Sequence, residues 1–295
     1  TFQKVTISLA FVAVAFISNA QDYPISVTPS VDPFSMDIDE RGDPASSINT
    51  FTGEVQFGLN LISTSLSQGI GLNISNSSNV HLTVENWNLD NPTGPLGLGW
   101  SLDLPHILVN KKETGTELDD SYYLIQGGVS QELVYTHING SVETYVPKTN
   151  HLWKVEYNKT TKQWTVIDDN GNTLIYGGET GRGTLDYGVK WGNWMGSSVQ
   201  TTNAEQYVRT YKLAQLTDKW GSSFVYTYVS FEESVAGVNY TRESYLNKIE
   251  GPAGDYIELF YADKILDDEF VEPHQEQPEP DAYQEFYETK YLERL

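Results

Sequence analysis

Within nine residues, Gly94-Pro95-Leu96-Gly97-Leu98-Gly99-Trp100-Ser101-Leu102, the chain places three glycines, a proline and a tryptophan. Glycine admits positive φ and the close approach of another segment, while proline fixes φ and withholds a ladder donor. No helix survives that density of breakers. The run therefore reads as a tight corner between two strands, with Trp100 packed as a plug.

Strand patterns lie on both sides of the corner. Val80, Leu82 and Val84, and later Tyr122 and Leu124, alternate at the period of half-buried strands. The segment Glu132–Ile138 lies between Gly127-Gly128 and Asn139-Gly140, and the second pair is a hairpin-turn dipeptide. Thr144–Val146, Trp153–Tyr157 and Trp164–Ile167 follow, with turns at 158–162 and at Asn170-Gly171. Phe224–Val229 and Tyr256–Tyr261 close the series. Residues 181–204, rich in glycine and carrying Trp191 and Trp194, read as an irregular insertion. No helix longer than two turns is expected after the first segment. The predicted fold is all-β, with antiparallel strands and hairpins in a large sheet domain. The 19 tyrosines, 7 tryptophans and 24 glycines suit strands and turns. With 39% hydrophobic and 20% charged residues, the chain is globular.

The first twenty residues read as a secretory signal. Lys4 supplies the positive charge, Ile7–Ile17 the apolar run, and Ser18-Asn19-Ala20 a small-residue cleavage site before Gln21. A spanning helix needs about 20 apolar residues, so stable membrane insertion is not expected. Thr1 stands where a start would carry methionine, and a strand pattern runs to the last residues, so the chain is expected to be a piece of a longer protein. The absence of cysteine removes thiol catalysis, disulfides and Cys-based zinc sites. A net charge of -22 disfavours nucleic acid and anionic membrane surfaces, both of which need a basic face. The charge is concentrated between Asp263 and Glu288, where ten acidic residues meet one basic residue and Pro273, Pro278 and Pro280. That stretch reads as a solvated connection; calcium is the alternative, but the acidic spacing matches no calcium loop.

No Gly-x-Ser-x-Gly elbow, His-Glu-x-x-His or Gly-Lys phosphate loop occurs. The histidines, His81, His106, His137, His151 and His274, are scattered without ligand spacing. Asp37-Ile38-Asp39 offers a metal only a lone carboxylate pair. No catalytic residue, cofactor or metal site is therefore assigned. Two surface features remain. Arg41-Gly42-Asp43 is an integrin-type tripeptide in a Pro/Ser-rich stretch, a candidate adhesion site or a plain turn. Asn73, Asn76, Asn139, Asn158 and Asn239 begin Asn-x-Ser/Thr sequons, candidate N-glycosylation sites if the secretory pathway is eukaryotic.

The Gly94–Leu102 run resembles the signature of the SpvB-type domain, found in Salmonella-type virulence proteins and in the B components of insecticidal Tc toxins, relatives of Rhs and YD-repeat shell proteins. Gly94, Gly97, Gly99, Trp100 and Ser101 carry the likeness. Three more segments resemble that family in the same order: Thr52–Phe57 with Gly69–Leu72, Trp164–Gly177, and Leu216–Tyr228 with Tyr245–Ile249. The resemblance implies residues 49–262 as one β-domain, after a signal peptide at 1–20 and a polar leading segment at 21–48. An acidic, proline-containing loop at 263–281 and the start of a further strand at 282–295 follow. It also implies a non-catalytic module that builds a shell-like β wall around a C-terminal cargo, and the signal segment implies that the module is secreted and extracellular. Its partners would be the rest of its own chain or a second toxin subunit. Any toxic enzyme would lie beyond Leu295, since the Glu-x-Glu pair of an ADP-ribosyltransferase is absent. The alternative is a secreted protein that binds a cell-surface receptor or glycan through Arg41-Gly42-Asp43 or through Trp87, Trp191 and Trp194.

Overall fold

The computed structural model describes residues 46–49, 54–63, 71–76, 94–97, 100–111, 119–127, 129–149, 152–191, 194–195, 198–199, 204–264, 284, 286 and 288–295. Up to residue 76 and from 191 to 199 this is the backbone path alone. Every regular element among them is a strand and every pairing is antiparallel, as the strand patterns predict.

The chain opens with β1 (Ser46–Asn49), β2 (Glu54–Ser63), β3 (Gly71–Asn76) and β4 (Trp100–Leu102), a four-stranded sheet in that order. A meander follows: β5 (His106–Asn110), β6 (Ser121–Gln126), β7 (Val129–Asn139), β8 (Val142–Pro147), β9 (Lys154–Asn158), β10 (Gln163–Ile167) and β11 (Thr173–Gly177). Next come β12 (Leu185–Trp191), the short pair β13 (Trp194–Met195) and β14 (Ser198–Val199), and the long β15 (Ala204–Thr217). β16 (Ser223–Val235), β17 (Val238–Glu250) and β18 (Tyr256–Glu258) extend the sheet, and β19 (Phe260–Asp263) pairs with β20 (Lys290–Arg294).

β15 turns the meander into a barrel. One of its edges pairs with β11, Leu216 opposite Leu174 and Leu213 opposite Tyr176. The other pairs with β5, Tyr211 opposite Ile107. Eight strands, β5 to β11 and β15, thus close on themselves. Eight is about the number at which side chains just fill the interior or leave room for one small ligand. The period-2 alternation sets the inside: along β10, Trp164 and Val166 are buried while Gln163, Thr165 and Ile167 are half-exposed. Ile107, Leu124, Val155, Val166, Leu174 and Leu213 fill one end of the barrel.

β15 also branches. Residues 204–211 pair with β12 and Gln215–Thr217 with β16. β12 faces β17, whose Thr241 hydroxyl accepts the Tyr187 N–H at 3.0 Å. A buried ion pair, Lys212 to Asp186 at 2.7 Å, joins β15 to β12, and Ser244 of β17 donates to the same carboxylate at 3.1 Å.

The turns explain why these strands end where they do. In the 168–172 loop the Asp168 Oδ1 accepts the N–H groups of Asn170 and Asn172 at 2.9 and 2.8 Å, and Gly171 has φ 81°. The 218–222 loop repeats this arrangement: Asp218 Oδ1 accepts from Trp220 and Ser222 at 2.9 and 2.8 Å, and Gly221 has φ 90°. Such self-capping is what Asp offers a turn. The β16–β17 ribbon closes on Ala236-Gly237, both at positive φ (50° and 76°), with Val235 paired to Val238.

Two expectations need correction. Residues 181–204 are not irregular where they are described at 185–191: this stretch is β12, in which Leu185 and Val189 are buried and β15 supplies the ladder. Trp100 is not a plug: it is 36% exposed at the start of β4. The residue that plugs the barrel is Trp164, with no exposed surface.

Two outcomes follow from the turns. Gly177 has φ 72°, and a Cβ there would lie 2.6 Å from Tyr211 Cδ1 and 2.7 Å from the Lys162 carbonyl. Gly177→Ala should lower stability by about 2–4 kcal/mol, combining backbone strain with overpacking, as read from the denaturant midpoint. Ala236→Asn should raise it by about 0.5–1 kcal/mol, because Asn-Gly suits a loop with two positive φ angles better than Ala-Gly; a thermal melt reads this directly.

Candidate functional site

On the side of Trp164 away from the aliphatic end, the barrel is lined by tyrosines. The Trp164 ring stacks on Tyr157 at 4.6 Å between centroids and 25° between planes. Tyr122 and Tyr145 each lie 4.9 Å from it, and Tyr211 meets it edge-on at 6.0 Å. The Tyr157 and Tyr211 hydroxyls are 2.9 Å apart. Tyr135 adds an edge-on contact to Tyr145 at 5.7 Å and stands 50% exposed at the lip. These rings come from β6, β7, β8, β9, β10 and β15, and strand registry brings them level: Trp164 is opposite Tyr157, Glu143 opposite Tyr157, and Tyr145 opposite Tyr135.

Above the rings the barrel opens into a recess of about 670 Å³. Two ion pairs and a further lysine, Lys162, whose partner Glu179 stands outside the lining, reach into it. Lys111 meets Asp120 at 2.6 Å, and its ammonium lies 5.5 Å from the centre of the Tyr207 ring. Lys159 meets Glu143 at 2.6 Å, and Glu143 also accepts the Tyr145 hydroxyl at 2.8 Å. Lys162 meets Glu179 at 2.9 Å and lies over the Tyr187 ring. Burial, reinforced by the hydrogen bond to Glu143, pushes the Tyr145 hydroxyl well above the usual phenol range, so it remains a proton donor. The arrangement offers ring faces, hydroxyls and charged hydrogen-bonding groups in one recess, the makings of a small-molecule site.

A second polar cluster anchors the end of the chain. Glu243 on β17 accepts the N–H of Thr289 at 2.6 Å and its hydroxyl at 2.9 Å, together with the Tyr245 hydroxyl and Arg242. Burial pushes the Glu243 carboxyl up, but the bonds from Tyr245, Thr289 and Arg242 outweigh it and hold the group below the usual range. Beside it, the Glu288 carboxyl is pushed up to about 7, first by burial and then by the nearby Glu243 and Asp186, against the pull of Lys264.

The signature run sits against this same end. Gly97 N–H closes a turn on the Gly94 carbonyl at 3.0 Å, with Pro95 in the corner and Gly97 at φ 93°. The Pro95 carbonyl then accepts the Leu292 N–H of β20 at 2.9 Å. Gly94, Gly97, Trp100 and Ser101 thus form a corner and the start of β4, while Gly99 lies outside the described residues. Arg41-Gly42-Asp43, Asp37, Asp39, Trp87, His81, His151 and His274 also lie outside them, as does the Val80–Val84 pattern. So does most of the acidic run, from residue 265 to 283. Of Asn73, Asn76, Trp191 and Trp194 only the backbone is described. Asn139 and Asn239 are exposed next to hairpin turns, and Asn158 uses its Oδ1 to accept from Thr160 and Thr161. His106 bonds the Leu104 carbonyl and His137 stands beside Thr136. Among the described residues no three His, Asp or Glu side chains are gathered to hold a metal ion.

No family model matches the chain, and no curated protein matches it. Among solved structures it is similar to the N-terminal domain of effector protein SpvB from Salmonella typhimurium strain LT2, at 16% identity and a TM-score of 0.46 over 72% of this chain and 74% of that one. It is also similar to TcdB2-TccC3, at 17% identity and a TM-score of 0.48 over 71% of this chain and 10% of that one. TcdB2-TccC3 without its hypervariable C-terminal region gives 14% identity and a TM-score of 0.45 over 70% of this chain and 9% of that one. The chain thus spans about a tenth of the length of the Tc chains it matches. These proteins are of the family that the sequence motifs resemble.

The Glu288 environment sets a pH dependence. A carboxyl whose pKa rises from 4.5 to about 7 on folding keeps its proton in the folded state when the unfolded chain has lost it. Its contribution is greatest below about 4.5 and is lost as pH climbs through 7, on the order of 3 kcal/mol in all. Glu243, shifted the other way, acts below 4.5 and leaves this window clear. The stability difference between Glu288→Gln and the parent should therefore widen in favour of the variant between pH 5 and pH 8, roughly across that window. A parallel pH dependence for both proteins would refute the assignment.

Proposed function

We propose that this chain is a non-catalytic structural module of a secreted, toxin-like protein, a stretch of β wall that helps enclose a C-terminal cargo. One observation carries the reading. Four segments that resemble the SpvB-type domain occur in that family's order, and those within the described residues are turns and strands of a single connected architecture: the Gly94 corner, the Asp168 hairpin and the Asp218 hairpin.

The geometry supports a wall. A closed ring of eight strands leaves no free edge to invite aggregation. From that ring β15 sends out a second set of strands, β16, β17 and β18, and among the described residues β18 is the edge where further strands could add. The partners of such a module are the rest of its own chain or a second toxin subunit.

The gene itself supplies the test. Sequence beyond Leu295 should continue with more hairpins of the Asp168 and Asp218 kind and end in a distinct C-terminal domain. A stop codon directly after Leu295 would sink the shell reading, because 295 residues cannot close a wall around a folded cargo.

A further inference from the structure

We propose that the open end of the barrel is a binding site for a short, neutral saccharide. The inference rests on the recess itself and stands apart from the shell reading.

The first argument is one of packing. A barrel that had only to be stable would fill its upper half as it fills the lower, with interlocking aliphatic side chains at close-packed density. Here, among the described residues, the filling stops at Trp164 and gives way to a recess of about 670 Å³. That volume falls inside the roughly 300–1,000 Å³ of small-molecule sites. Holding polar groups around it is costly unless they have partners to satisfy.

The chemistry of the wall selects the ligand. Tyr122, Tyr145, Tyr157 and Tyr211 present rings with polar tips, and Tyr135 and Tyr187 stand at the rim. Such side chains are apolar on the face and wet at one end. A sugar ring is built in the same way, with C–H groups on its faces and hydroxyls on its perimeter. Ionic pairs then supply the perimeter. Lys111 with Asp120 and Lys159 with Glu143 set a fixed donor beside a fixed acceptor, the pattern that adjacent sugar hydroxyls require. Charged partners make the stronger hydrogen bonds.

The same pairs argue against other classes. Lys111 and Lys159 are held by carboxylates of the lining, and Lys162 is held by Glu179 at the outside, so among the described residues no lysine of the recess is left to pair with a phosphate or a sialylated sugar. A fatty acid would bury its chain against carboxylates and ammonium groups, which costs more than the apolar contact returns.

Isothermal titration of the 295-residue chain with lactose, cellobiose, maltose and chitobiose tests the proposal, with sialyllactose and lauric acid as competing probes. At least one neutral disaccharide should bind with a Kd of about 1 mM or tighter. Tyr135→Ala and Tyr187→Ala, both at the rim, should each weaken it by roughly tenfold, the worth of one aromatic contact; at the half-exposed Tyr135 the thermal melt should stay unchanged. Tyr145→Phe keeps the ring but removes the hydroxyl that orients Glu143, and should weaken binding with the fold intact. Three results would overturn the proposal: no heat from any neutral disaccharide at about 10 mM, binding that the rim variants leave unaltered, or tighter binding of sialyllactose or lauric acid.

Discussion

Everything in this structure depends on one strand that is shared. The meander from β5 to β11 is built by neighbours in sequence and by itself would end in two open edges. β15 satisfies both, pairing Leu216 with Leu174 on one side and Tyr211 with Ile107 on the other. A one-residue bulge makes this possible. Ile175 is opposite Gln215 but Tyr176 is opposite Leu213, so Ala214 has no partner in the ladder. Bulges of this kind sharpen the local twist and bend the strand. The bend lets β15 leave the barrel, collect β12 along one edge and launch β16 from the other.

Closure creates a conflict that the interior resolves by level. At one end, leucines, isoleucine and valines pack to exclusion. At the other, carboxylates and lysines occupy inward positions on the same strands. Glu143 is two residues from Tyr145 on β8, and both are buried. Trp164 is the boundary, its ring touching four tyrosines. Its buried Nε1 makes no hydrogen bond within the described residues, a cost that a purely structural plug such as phenylalanine would avoid. The level at which apolar filling stops is therefore a property of the sequence and not of barrel geometry.

How much of this was legible depended on sequence distance. The meander was, because each hairpin carries its own code: Asn139-Gly140, Asn170-Gly171 and the alternation of Trp164 and Val166 act within a few residues. β12 was hidden because Gly188 interrupts its alternation and its ladder partner begins about a dozen residues later. Closure was invisible, since Ile107 and Tyr211 are a hundred residues apart and neither states its partner. Trp100 misled for a related reason. Glycines make a corner legible but not what packs into it, and the inward tryptophan proved to be the one with a period-2 apolar neighbour. The tyrosine recess could have been suspected only by noting that Tyr122, Tyr145, Tyr157 and Trp164 share the inward phase of successive strands.

The three hairpin turns at 168, 218 and 251 bear on how such a domain grows. In each, the first residue's N–H bonds the fifth residue's carbonyl and the fourth residue is a glycine at positive φ: Asp168 with Asn172, Asp218 with Ser222, Gly251 with Asp255. Each is followed by a strand with a buried apolar residue, Leu174, Phe224 or Ile257. The first two copies secure the loop with an aspartate at its head; in the third the head is Gly251, and the carboxylate has moved to the fifth position, Asp255. One local device is thus used first to finish the barrel, then to leave it, then to reach the sheet edge at β18. A chain that folds by repeating a self-sufficient turn needs no new long-range instruction for each added strand. The strand pairing that spans the most sequence, β15 with β5, is made once, and the sheet beyond it, from β16 to β18, can lengthen by local steps.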